Sequence, residues 1–121
     1  MKIAMMHYRT KQTDGVSLEM DKWRDVLEDL GHQVVYITGS KDEKEVYLPE
    51  LEYRNERNLK LVEEIFKKDN PSKTEEQIKE VIYDYANQFK TKFKKIITKR
   101  NIDLLIPNNV LSLGWNIAVG F

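Results

Sequence analysis

The sequence predicts an α/β domain in which a mostly parallel sheet lies between layers of helices, and three observations carry that prediction. A continuous apolar run, Ile3-Ala4-Met5-Met6, stands near the start. An amphipathic run opens at Gly15, breaks at Gly31-His32 and leads directly into a second apolar run, Val34-Val35-Tyr36-Ile37. A third apolar run occupies residues 102–106, IDLLI, after a long helical pattern. The first two runs with the helix between them read as strand, glycine turn, helix, tight turn, strand, which is a βαβ unit. Strands that are apolar throughout, rather than alternating, are those covered on both faces, as in a parallel sheet. With 121 residues the chain forms one domain, residues 1–121, carrying a charged helical insert at about 41–100.

Taken in order, residues 2–7 are the first strand and residues 8–14 a polar loop. Gly15 gives conformational freedom, or close backbone approach, where the helix opens. Asp14 or Ser17 supplies its cap, and Glu19 and Asp21 suit the positive end of its dipole. The helix carries Leu18, Trp23, Val26, Leu27 and Leu30, and ends near Leu30 with Gly31 as the left-handed residue. Residues 33–38 form the second strand, closed by Gly39-Ser40. Residues 41–44 are charged loop. Pro49 limits the stretch 46–53 to a short or edge strand. Residues 55–68 read as a helix with Leu59, Val62, Ile65 and Phe66 on one stripe, broken by Asp69-Asn70-Pro71. Capping-box patterns begin at both Ser72 and Thr74 and open the longest helix, which runs to about Lys99. Its stripe is Ile78, Ile82, Tyr85, Phe89, Phe93 and Ile96, opposite a face of lysine and glutamate.

Asn101 is a turn residue before the third strand, residues 102–106, which reads as buried. Right-handed crossovers place that strand beside the first, at the centre of a growing sheet. The loop Pro107-Asn108-Asn109 follows. Residues 110–121, VLSLGWNIAVGF, are apolar with helical character and contain no charge between Val110 and Phe121. A surface helix keeps one wet face. This stretch therefore reads as a helix that packs against strands missing from a truncated product, or that meets a partner, a second copy of the chain included.

Twenty basic residues balance twenty acidic ones, so no global field draws the chain to nucleic acid or to an anionic membrane. The absence of cysteine excludes disulfides, thiolate metal sites and cysteine nucleophiles. The N-terminus is too short in apolar residues for a signal segment, and no window reaches the roughly 18 apolar residues of a spanning helix. The expectation is a soluble, cytoplasmic chain without a membrane span, a metal or a resident cofactor.

Candidate chemistry lies on the loops at the carboxyl ends of adjacent parallel strands, residues 8–16 and 107–109, where open α/β sheets bind ligands. Asp14, Gly15 and Val16 form the glycine turn, whose backbone N–H groups can face a phosphate; the bland alternative is a plain helix-start glycine. Asn108 and Asn109 offer amides to sugar hydroxyls, or simply make a turn after proline. His7 ends the first strand within reach of a ligand, whereas His32 sits in a structural turn. Gly15 stands alone, so neither GxGxxG nor GxxxxGK[ST] is present. Paired carboxylates such as Glu63-Glu64 and Glu75-Glu76 lie on solvated helix faces.

Gly15-Val16, the amphipathic helix, Leu30-Gly31-His32, Val34-Val35 and Ile37-Thr38-Gly39 resemble the opening of family 4 glycosyltransferases. The run from Ile106-Pro107-Asn108-Asn109 through Val110-Leu111-Ser112-Leu113 is similar to a segment on the acceptor side of the same amino-terminal domain. The resemblance covers residues 1–39 and 102–121; the middle of the chain is not diagnostic. It implies a Rossmann-like, acceptor-side domain of a GT-B architecture, whose second domain binds the nucleotide-sugar donor and holds the catalytic residues. It further implies a retaining transferase, with a nucleotide-sugar and a sugar or lipid-linked acceptor as substrates. In the family the glycine loop approaches the donor phosphates, a role that falls on Gly15, with Asp14 where a first glycine is common. On this resemblance the chain is not expected to turn over alone. The alternative is a free-standing α/β binding or regulatory module that uses its apolar terminal helix as a partner interface.

Overall fold

The computed structural model describes residues 1–9, 15–41, 45–67, 73–111 and 115–120. In chain order the elements are β1 (Lys2–His7), α1 (Gly15–Asp29), β2 (Gln33–Thr38), β3 (Val46–Tyr47), a 3-10 turn at Pro49–Leu51, α2 (Glu56–Phe66), α3 (Glu75–Lys99), β4 (Leu104–Pro107) and the single-turn α4 (Ile117–Gly120). The strands form one sheet in the order β3-β2-β1-β4, and every pairing is parallel. The third long strand thus lies beside the first, as the crossover rule requires.

Alternation along the strands divides the core into two layers. On one face Ile3, Met5, Val34 and Tyr36 pack with Met20 of α1, flanked by Val16, Leu27 and Ile106. On the other, Ala4, Met6, Ile37 and Val46 pack with Phe89 of α3, Leu48, Leu51 and Val110, flanked by Phe93, Ile96, Ile97 and Leu105. The result is the expected Rossmann-like arrangement of helix, parallel sheet and helix.

Local signals explain most boundaries. Gly31 sits at φ 90°, where a side chain would be strained, and closes α1 with two C-terminal bonds. Its N–H donates to the Glu28 carbonyl at 2.9 Å, and the His32 N–H donates to that of Leu27 at 3.1 Å. Thr74 and Gln77 make a reciprocal capping box at the start of α3, which settles the choice between the two patterns in favour of the second. Asn55 caps α2 by accepting from the Asn58 N–H at 2.9 Å.

Four readings of burial change. On α1 the buried residues are Ser17 and Met20, while Leu18, Trp23, Val26 and Leu30 are exposed. The helix therefore meets the sheet about one position away from its most hydrophobic stripe. On α2, Asn58 and Leu61 are buried and Leu59 and Phe66 exposed, because the Asn58 amide is claimed by two carbonyls. β4 is an edge strand in the described sheet: Leu104 is exposed and Leu105 and Ile106 are half-buried. The terminal apolar stretch makes only one helical turn among the described residues, yet Val110, Asn116 and Ala118 in it are fully buried against the rest of the chain.

Candidate functional site

The sheet reverses its order of strand addition between β1 and β4, so the switch point of the fold lies between their carboxyl ends. Two devices hold that point together. Pro107 pairs with Met6 but has no N–H to give, and the Asn108 N–H donates to the Met6 carbonyl at 2.7 Å instead. His7 Nδ1 lies 2.7 Å from the Asn108 carbonyl. A carbonyl only accepts, so Nδ1 carries the proton, and in the neutral ring Nε2 is the acceptor nitrogen.

The predicted site residues occupy different roles. Gly15 is the first residue of α1 and exposed, and a Cβ added there would meet nothing within 4 Å. Val16 packs against the α1-side core. Asn108 is half-buried, and its side-chain amide donates to the Ile106 carbonyl at 3.2 Å. Asn109 takes φ 61°, a left-handed turn that asparagine tolerates better than most residues. Asp14 lies outside the described residues.

Around this mouth the fold assembles an aromatic cluster that no local pattern announces. Tyr8 follows β1 directly, is fully buried, and donates its hydroxyl to the Val110 carbonyl at 2.9 Å. Burial holds that phenol above its ordinary range. The Tyr8 ring lies 5.5 Å from the ring of Tyr53 and 5.9 Å from that of Trp115, and the latter two are 4.8 Å apart. Tyr53 arrives there because the segment after the 3-10 turn crosses the end of β2. A Cβ on Gly39 would collide with the Glu52 backbone, 2.8 Å from its Cα, so only glycine admits that crossing.

Trp115 is fixed from behind by buried amides. Asn58 Nδ2 donates to the Trp115 carbonyl at 2.8 Å and to that of Tyr53 at 2.7 Å. The adjacent Asn116 Nδ2 donates to the Glu50 carbonyl at 2.8 Å, which also accepts from the Tyr85 hydroxyl at 2.6 Å. Trp115 itself remains 46% exposed, so its ring is held in place while presenting surface to solvent.

Two arginines complete the mouth. The guanidinium of Arg9 stands 5.1 Å from the Tyr53 ring centre, donates from Nη2 to the Tyr53 hydroxyl at 2.6 Å, and pairs through Nε with Glu52 at 3.3 Å. Arg54 lies over the same ring at 5.6 Å. Only Arg9 and Tyr8 had a sequence signal, their position at the end of β1. Tyr53 and Trp115 arrive from residues far along the chain.

The fold is that of a Rossmann-like α/β domain, with an aromatic cluster and two arginines gathered near its topological switch point. The chain is 34% identical over 125 residues to the mannosylglucosylglycerate synthase of Thermotoga maritima, covering 99% of this chain and 28% of that protein. It is 29% identical over 122 residues to the mannosylglucosylglycerate synthase of Petrotoga mobilis, covering 98% of this chain and 27% of that protein. The chain thus spans little more than a quarter of the length of the curated relatives it matches. No protein-family model matches it, and no solved structure does.

Proposed function

We propose that this chain is the acceptor-side, amino-terminal portion of a nucleotide-sugar-dependent glycosyltransferase. The observation that carries the reading is the match of nearly the whole chain to about a quarter of two synthases named for a mannosylated glucosylglycerate. A crevice at the switch point of a Rossmann-like sheet is where such a domain holds its substrate. The reaction breaks the bond from the sugar's anomeric carbon to a nucleoside diphosphate and forms a glycosidic bond to an acceptor hydroxyl oxygen. The acceptor proton passes to a base, and the diphosphate leaves with the bonding electrons.

In this reading the donor, the catalytic groups and the retaining stereochemistry belong to a second domain, as the family 4 resemblance implies. Gly15 and its neighbours approach the donor from this side, and Asn108 and Asn109 face the acceptor. The test is a transfer assay on the complete reading frame that carries this segment, with a mannose nucleotide donor and glucosylglycerate. Mannosyl transfer by that protein, and none by residues 1–121 alone, is the expected result. No transfer by the complete protein overturns the proposal, and a frame that stops after Phe121 turns the reading toward a free-standing binding module.

A further inference from the structure

We infer that Arg9, Tyr53 and Trp115 form a subsite for the acid end of a carboxylate-bearing glycoside. The inference rests on the acceptor-side reading above and names the chemistry that the mouth selects. Two features converge. Trp115 is anchored through its carbonyl yet keeps nearly half its surface open, and a fixed aromatic ring is suited to the apolar C–H face of a pyranose. Arg9 is oriented by Glu52 and Tyr53, and the remaining N–H groups of its fork, Nη1 included, have no partner among the described residues. A guanidinium fork of that kind matches a carboxylate in geometry as well as charge.

The local charge agrees. Arg9 and Arg54 both lie against the Tyr53 ring, with Glu52 the carboxylate that answers them. Glu52 is shared, because its other oxygen accepts from the Arg54 backbone N–H at 3.1 Å. The nearby Glu50 is taken by Lys92. The mouth therefore retains an excess of positive charge, and Arg9 is its preformed anion receptor. The Arg9 side chain is only 25% exposed, so a carboxylate there interacts more strongly than it would on an open surface.

The two tryptophans make the test internal. Trp23 lies exposed on α1, which packs on the opposite face of the sheet, and serves as the control. Glucosylglycerate is titrated into the isotope-labelled 121-residue chain, and the two indole N–H signals are followed by NMR. Neutral glucosylglycerol and a nucleoside diphosphate are titrated separately. The Trp115 signal should move with the acid glycoside while that of Trp23 stays. Neutral glycoside should bind about tenfold more weakly, the scale of one charge-assisted contact. Arg9→Gln should bring the acid down to the neutral level, Arg9→Lys should restore part of the difference, and an unchanged Trp23 signal shows that each variant is folded. Equal binding of acid and neutral glycosides overturns the subsite but leaves the acceptor-side reading standing. A Trp115 shift caused by the diphosphate alone, or by no ligand while the complete enzyme still transfers, also overturns it. Failure of the earlier reading is distinct, since it appears as absence of transfer by the complete protein.

Discussion

Gly39 shows how one missing side chain positions a site. Its backbone N–H donates to the Tyr8 carbonyl at 3.0 Å while the Glu52 backbone presses on its α-carbon, so this residue joins the end of β1 to the segment bearing Tyr53. Gly39→Ala must displace that segment, at a cost of about 2 kcal/mol by the usual penalty for overpacking. Chemical denaturation should show the loss. A variant as stable as the parent would mean that the segment moves aside freely and that Tyr53 is not rigidly placed. At the same scale the sequence was partly legible. His7 is legible as the residue that ends the first strand, and it sits at the switch point, buried against Asn108. The turn at Asn109 was legible as one of two readings, and its positive φ fits it. Tyr53 and Trp115 carried no signal, because folding joins them to their neighbours across 44 residues from Arg9 to Tyr53 and 57 from Asn58 to Trp115.

Among the elements, β3 is the shortest strand, and a carboxylate extends its work. Glu45 precedes it with a side chain 1% exposed, accepts from the Tyr36 N–H of β2 at 3.1 Å, and accepts from Arg24 of α1 at 3.0 Å. Arg24 in turn lies 4.7 Å from the Tyr36 ring centre. Burial alone would lower the arginine's pKa, but the hydrogen bonds it donates to Glu45 and Glu28 outweigh it and keep the group charged. One residue thereby ties α1, β2 and β3 together. Glu45→Ala leaves a buried N–H and a part-buried guanidinium short of an acceptor. We expect a loss of about 2–3 kcal/mol, the low end for a broken buried pair because Arg24 keeps Glu28. Urea unfolding checks it, with Glu45→Gln expected to lose less because it can still accept from Tyr36; a loss under about 0.5 kcal/mol would remove the role. Element type and order were legible here because apolar runs, glycine stops and capping boxes are local. The buried faces of α1 and α2 were not, since a helix with apolar residues on two sides does not say which side the sheet will take.

At the scale of the molecule, apolar surface remains on both sides of the sheet. On α1, Trp23, Val26 and Leu30 form an exposed stripe at spacings of three and four. On the other side an open groove of about 440 Å³ lies between α3, β4 and α4, lined by Phe93, Leu105, Pro107, Leu111 and Val119 among others. No described helix is long and apolar enough to cross a membrane. Such surfaces favour association, and the 121-residue chain on its own is expected to self-associate as its concentration rises. Light scattering reads this directly, and Val26→Lys with Leu30→Lys should shift the chain toward monomer. A concentration-independent monomer of the unaltered chain would contradict the expectation.

The parallel pairing also sets an order of assembly. β1 meets β2 through a connection of roughly thirty residues, but meets β4 only across about a hundred, as in the contact from the Lys2 N–H to Asp103. Closing the longer span costs about 1 kcal/mol more in chain entropy. It must also wait for α3 to form. During synthesis β1 would therefore gain β2 as a neighbour early and keep its other edge open until residues 104–107 had emerged. The edge that waits ends at His7, so the switch point, where His7 meets the Asn108 carbonyl, closes only once β4 has docked.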